Sequence, residues 1–300
     1  MQYSQPLVSV VIPCYNHEQF VQDSIQSIID QDYENIELII IDDGSKDNSV
    51  SKIQEMIAAC KERFIRFEFK HRENKGLCAT LNEALQWSDG EYFSPLASDD
   101  IALSHKTSYL VDKIHDSEYA VVFGNIECIG NIVTIQKRLK HTEHTFNDLI
   151  MQKNIPSAPA ALFRTQDLID IGGYTENIRI EDWYMWLKLT NNSKKIVSYS
   201  EIVCLYRRHD NNMTNDIRFM HSARQDIIEL YSDNIMYERA ISNNLLIKAR
   251  DTAFDGLIEP MKLLLESRKF DRESVIVLIK IITPKNVIKI KREIYKILKI

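Results

Sequence analysis

Two adjacent carboxylates, Asp99 and Asp100, close the stretch "YFSPLASDD" after a run of mostly uncharged residues. Charged groups are rarely buried without a partner, so a lysine, a helix terminus, a metal ion or bulk water must offset them. Two other stretches have the same character: "DDGSKDNS" carries Asp42 and Asp43, and "EDWYMWLKLTN" opens on Glu181 and Asp182. A fourth, "LYRRHDNNMT", gathers Arg207, Arg208 and His209, where a histidine can ligate a metal and arginines can pair with phosphate. Each has a simpler alternative. The acids can cap helices or sit in a first helical turn, and the basic cluster can be a solvated turn.

The elements that would position these groups alternate in type. "LVSVVIP" (7–13), "IELIIID" (36–42), "IRFEF" (65–69), "EYFSPL" (91–96) and "AVVFGNI" (120–126) are β-branched apolar runs that predict strands. Between them, "EQFVQDSIQSIID", "NSVSKIQEMIAACKE" and "GLCATLNEALQWS" repeat apolar residues every three or four positions, as helices covering one face do. This order predicts an α/β fold with a mostly parallel sheet, helices on both faces and a ligand site at the carboxyl ends of the strands. The polar stretches "PCYNH", "DDGSKDNS" and "ASDD" all follow strands, so they converge on one crevice. The place where a dinucleotide fold needs G-x-G-x-x-G reads "PCYNHE", and no Walker-type loop is present. A diphosphate would need another counter-charge, which Mg²⁺ or Mn²⁺ on Asp99 and Asp100 would supply.

The run "VSVVIPCYNHEQFVQDSIQSIIDQDYENIELIIIDDGSKDNS", followed by "NKGLCATLNEAL", "GEYFSPLASDD" and "EDWYMWLKL", resembles the family 2 glycosyltransferases of GT-A fold over roughly residues 6–215. The resemblance implies that Pro13, Tyr15 and Asn16 line the nucleotide pocket, that Asp43 meets the base, Asp99 the ribose, and Asp100 a divalent metal. It places Glu181 and Asp182 on the acceptor side, with Asp182 as general base. It also favours His209 as a metal ligand, with Arg207 and Arg208 at the diphosphate, because Tyr206–His209 matches a Tyr-Arg-x-His run. Where many members carry A-R-N-x-G, this chain has Thr80, Leu81, Asn82, Glu83 and Ala84, so the arginine is missing.

The implied reaction is an inverting, Mn²⁺- or Mg²⁺-dependent hexosyl transfer from a UDP-sugar, or secondarily dTDP-rhamnose, to a glycan or lipid-linked saccharide in surface-polysaccharide assembly. A carboxylate takes the proton of the acceptor hydroxyl, and the cation offsets charge on the leaving diphosphate. Two alternatives remain at this level. One is a nucleotide-sugar-binding scaffold without activity, which loss of Asp100 or Asp182 would have suggested. The other is a nucleotidyltransferase, which wants a Gly- and Arg-rich loop after its first strand.

Residues 1–215 are expected to form the transferase domain, with 1–110 on the nucleotide side and 111–215 on the acceptor side, and 216–300 a helical region. Five widely spaced cysteines without a C-x-x-C pair argue against a disulfide framework or a zinc site, and no leader or membrane span is indicated, so a cytoplasmic location is expected. His141 and His144 read as solvated loop residues. The net charge is −6, but residues 285–300 hold six Lys/Arg against one Glu and so carry +5, leaving −11 upstream. Wound as a helix, that tail sets Val287, Ile288, Ile290, Ile294, Tyr295, Ile297 and Leu298 opposite Lys285, Lys289, Arg292, Lys296 and Lys299. Such a helix suits an anionic membrane surface at the inner face of the cell membrane, or docking on acidic protein.

Overall fold

The computed structural model describes residues 5–130, 140–210, 212–253, 258–269 and 271–282. The chain divides into two compact units, Met1–Asn212 and Met213–Ile300. The basic tail at 285–300 lies outside the described residues.

The first unit begins with the expected alternation: β1 (Val8–Cys14), α1 (Val21–Ile29), β2 (Ile36–Asp42), α2 (Ser49–Arg63), β3 (Arg66–His71), α3 (Leu77–Trp87) and β4 (Tyr92–Pro95). It continues through β5 (Ile101–Ala102), α4 (Lys106–Ile114), β6 (Tyr119–Gly130), β7 (Thr142–Glu143), α5 (Phe146–Ile150), β8 (Ala161–Arg164), α6 (Thr165–Asp170), α7 (Glu181–Asn191) and β9 (Lys195–Arg208). The nine strands form one sheet in the order β3-β2-β1-β4-β8-β6-β9-β5, with β7 beside β9. Strands β1 to β4 pair in parallel, as strands linked by helical crossovers must. β8 then runs antiparallel to both β4 and β6, while β6 and β9 are parallel again. The first half of the sheet is therefore parallel and the second half mixed.

Burial explains the sequence pattern. Every residue of β2 is buried, which is why it reads as a continuous aliphatic run rather than an alternating one. α1 buries Val21, Ile25 and Ile28 at three- and four-residue steps, with small Ser24 and Ser27 between them. The resulting core joins Val10, Ile12, Ile25, Leu38, Ile40 and Leu110. Further along, Trp186 of α7 is buried, lies nearly parallel to Phe163 (ring centroids 5.5 Å apart) and takes Phe123 edge-on at 4.7 Å.

One expectation is corrected. His144 is buried, not a solvated loop residue: its Nε2 lies 2.7 Å from Ser198 Oγ of β9, and burial lowers its pKa to about 4. His141 is exposed.

The second unit contains α8 (Ile217–Glu229), α9 (Tyr237–Asp251), α10 (Ile258–Glu266) and α11 (Arg272–Ile282). Its core draws Leu246 and Ala249 together with Leu263, Leu264, Val277 and Ile281. No helix among the described residues is long and apolar enough to cross a membrane.

Candidate active site

The site is built from four strand ends of the first unit. After β1, Asn16 takes a left-handed conformation (φ 55°), which asparagine tolerates better than most residues. Its N–H donates to Ser45 Oγ at 2.8 Å and its side-chain oxygen accepts from the Lys46 N–H at 2.7 Å. The loops after β1 and β2 are thereby joined. Pro13 is within β1 and Tyr15, just beyond it, is exposed.

After β2 the two adjacent acids differ. Asp42 is fully buried and accepts from the Ser45 N–H, 3.0 Å, and hydroxyl, with His71 Nδ1 2.8 Å away. It fixes the turn. Gly44 follows at φ 79°, and a Cβ there would lie 2.8 Å from the Asn74 nitrogen. Asp43 accepts the N–H groups of Lys75 and Gly76 at 2.8 and 2.9 Å and pairs with Arg72. Arg72 also donates to Thr80 Oγ1 and Glu83 Oε2, both at 2.8 Å. A guanidinium from the end of β3 thus lies against the Thr80–Glu83 stretch, in which the resemblance leads one to expect an arginine at Leu81.

After β4, Asp99 and Asp100 point to different surroundings. Asp99 Oδ2 lies 3.0 Å from His209 Nε2, and its Oδ1 lies 4.0 Å from His17 Nδ1. His17 Nδ1 is also 2.7 Å from Ser98 Oγ. Burial lowers the His17 pKa, against the pull of Asp99, and so favours the neutral ring. Asp100 turns inward. It is 1% exposed, its Oδ1 accepts from the Arg207 N–H at 2.8 Å, and its buried Oδ2 has no hydrogen bond. Desolvation, then Asp99, pushes its pKa well up, opposed by Arg207 and by Lys106, itself only 2% exposed.

β9 closes the crevice. Arg207 donates from Nε to the Asp99 carbonyl and from Nη2 to Asp23, each at 2.9 Å, and its guanidinium lies 5.0 Å above the Phe20 ring. It is a brace between β4, β9 and α1, whereas the sequence reading gave it to a diphosphate. Phe20 also stacks on His209 at 4.9 Å. Around these groups lies a cavity of about 560 Å³, lined by Asn16, His17, Phe20, Asp47, Arg208 and His209 among others.

Glu181 and Asp182 are held separately, at the start of α7. Trp183 anchors that helix by donating its indole N–H to the Leu149 carbonyl at 2.9 Å, while the Asp182 carboxylate accepts from the Trp183 N–H at 2.6 Å. The preceding segment is tied to α3: Asn82 exchanges two 2.8 Å hydrogen bonds with the Tyr174 backbone. The Glu181 carboxyl is densely surrounded although part of the residue reaches solvent; desolvation, then the neighbouring Asp182, raises its pKa to about 8. Burial beside Asp182 thus holds the Glu181 carboxyl toward its protonated form.

Among the described residues, His17, Asp99 and His209 form the group able to hold a metal, with one donor atom from each lying within 4.8 Å of the others. A carboxylate oxygen with two imidazole nitrogens suits a divalent first-row ion. The sequence reading found His209 and chose Asp100 as the second ligand; the structure brings Asp99 to His209 instead. It did not single out His17, although that residue adjoins Asn16 in a strand-end loop. Phe20, Arg72 and Lys106 were also missed, because Phe20 and Arg72 act through partners distant in sequence, His209 and Asp43, and Lys106 opens a helix that looks ordinary in sequence.

Acids and a histidine gathered at the carboxyl ends of strands in an open, largely parallel α/β sheet stand where such sheets bind their ligands. Residues 9–171 match the family model described as Glycosyl transferase family 2, and the chain belongs to that family: it is a glycosyltransferase. It is 28% identical over 255 residues to the Escherichia coli UDP-Glc:alpha-D-GlcNAc-diphosphoundecaprenol beta-1,3-glucosyltransferase WfgD, covering 83% of this chain and 96% of that one. Its fold is shared with Staphylococcus aureus TarS 1-349 in complex with UDP-GlcNAc (TM-score 0.64, 16% identity, 87% of this chain and 79% of the other). It is shared too with the mannosyltransferase PcManGT from Pyrobaculum calidifontis in complex with GDP-Man and Mn²⁺ (TM-score 0.62, 15% identity, 93% and 85%).

Proposed function

We propose that this glycosyltransferase moves a hexosyl group from a UDP-sugar, with dTDP-rhamnose the second choice, to a lipid-linked saccharide, with inversion at the anomeric carbon. The observation that carries this reading is the His17, Asp99 and His209 group beside an open cavity at the strand ends. Asp99 and His209 hold Mn²⁺ or Mg²⁺ in this proposal, and the cation, when bound, offsets the negative charge gained by the departing nucleoside diphosphate. Asp100, enclosed by Arg207 and Lys106, orients the turn rather than facing the donor. Asp43 takes the base through its carboxylate, fixed by Arg72 and two backbone N–H groups. Pro13, Tyr15 and Asn16 form the neighbouring wall, Asp47 and Arg208 border the phosphates, and Arg207 keeps the Asp99 turn in place.

Asp182 accepts the proton of the acceptor hydroxyl as that oxygen bonds to the anomeric carbon and the bond to the diphosphate oxygen breaks. Glu181, holding its own proton, leaves that role to Asp182. The likeness to WfgD along nearly its whole length supports a diphosphoundecaprenol-linked acceptor and a place on the inner face of the cell membrane. The basic, amphipathic pattern of residues 285–300 supports a peripheral seat on anionic lipid.

The direct test is a panel of UDP-, dTDP- and GDP-sugars incubated with enzyme and Mn²⁺, with release of nucleoside diphosphate measured with and without a GlcNAc-diphospholipid analogue. UDP-sugar turnover that rises with acceptor and disappears on chelation is expected. Turnover of GDP-sugars alone, or undiminished activity after thorough chelation, refutes the reading.

A further inference from the structure

His17 has no role in the reaction described above, yet it stands in the same cluster as Asp99 and His209. Its Nδ1 is 4.0 Å from Asp99 Oδ1, its ring meets the His209 ring edge-on at 5.8 Å, and Phe20 flanks both. Its loop is not loose. The His17 N–H donates to Ser49 Oγ at 2.9 Å and the preceding Asn16 is bonded to Ser45 and Lys46, so the imidazole is carried on a braced turn. Ser98 Oγ, 2.7 Å from Nδ1, holds the ring toward Asp99. The His17 side chain is 24% exposed against 10% for Asp99, and it lines the open cavity, so an ion reaches the group from that side.

We infer that His17 is a protein ligand of the cation, making a two-histidine, one-carboxylate site that binds its metal before the nucleotide arrives. The inference rests on the metal-dependent reading above and adds ligand number, order of binding and metal preference. A site with one or two carboxylates depends on substrate phosphate oxygens to complete the shell of Mg²⁺. Three protein donors, two of them imidazole nitrogens, lessen that dependence and favour Mn²⁺, Co²⁺ or Zn²⁺ over Mg²⁺. In such a site the ion would take the place that the Ser98 hydroxyl holds at Nδ1.

The test uses the full chain and Mn²⁺ alone. Free Mn²⁺ is measured by EPR in a titration of nucleotide-free protein, and pulsed EPR of protein labelled with ¹⁵N-histidine counts the imidazole nitrogens on the bound ion. Two nitrogens in the wild type are expected, one in His17→Ala, with Mn²⁺ affinity reduced at least roughly tenfold in that variant. The wild-type count needs no variant to fold. One nitrogen in the wild type, or Mn²⁺ bound only once UDP is added, overturns the inference and leaves the metal-dependent transfer intact. No Mn²⁺ bound with or without UDP overturns both.

Discussion

Lys106 is a lysine at the start of a helix whose side chain is 2% exposed, and the charge that answers it is Asp100, 1% exposed, with one oxygen lacking a hydrogen bond. Burial drives the Lys106 pKa down; Asp100 and the buried Cys204 act in the other direction. Lys106→Met removes the cation and leaves Asp100 with the Arg207 N–H and guanidinium on one side only. Breaking a buried pair from one side costs about 3–5 kcal/mol. Because Arg207 remains and the two groups are not in direct contact, we expect less than this, about 2–3 kcal/mol. For a unit of this size that lowers Tm by roughly 4–12 °C. In Lys106→Met/Asp100→Asn neither charge is left buried alone, so at least half the loss should return. Urea unfolding of wild type, both single variants and the double variant, followed by circular dichroism, gives the coupling energy. A coupling under about 0.5 kcal/mol, or a Lys106→Met protein as stable as wild type, refutes the pairing.

Asp99→Ala should abolish Mn²⁺-dependent UDP binding by calorimetry, whereas Asp100→Asn should retain it and lose stability; the reverse pattern would return the metal to Asp100. Asp182→Asn should leave donor affinity nearly intact and slow transfer by on the order of 10²-fold or more, measured as kcat and donor Kd separately. Glu181 has an ordinary pKa of 4.5, raised to about 8 in the fold. The folded chain therefore binds the extra proton between these values, so the stabilisation is complete below about 4.5 and is lost as pH rises toward 8. Glu181→Gln should flatten that decline: its Tm relative to wild type should be higher at pH 8.5 than at pH 5, and an unchanged difference across the two would contradict the burial of this carboxyl.

The parallel half was legible because its central strands β1 and β2 are buried on both faces. Continuous aliphatic runs such as Ile36–Asp42 mark them, and each ends where polar residues begin. The same simple pattern set Asp43, Asp99 and His209 just beyond strands, where the structure has them. Which of two adjacent acids faces the crevice was not legible. Neighbouring residues leave the backbone in different directions, and the choice is made by Arg207 and Lys106, one of them 107 residues further along the chain than Asp100. His144 was misread for a similar reason, since its partner Ser198 belongs to a strand that pairs only in the folded sheet. The reversal at β8 was hidden too: four residues, Ala161–Arg164, are too short to declare a direction. The resemblance supplied roles for Asp182 and Asp43 that spacing alone would have left as helix and turn chemistry.

α3 has a consequence for how such an enzyme can be re-engineered. Its entry turn delivers the Lys75 and Gly76 N–H groups to Asp43, and one turn and a half further on Asn82 clasps the Tyr174 backbone ahead of Glu181 and Asp182. A single helix thus gauges the span between Asp43, proposed to meet the donor base, and the acids proposed to face the acceptor. A graft of residues 173–182 from a relative, made to exchange one acceptor for another, will keep its alignment only if the residue that clasps it at position 82 travels with it. Lengthening the helix by one residue would swing that clasp through about 100° and uncouple the two substrates without touching either binding surface.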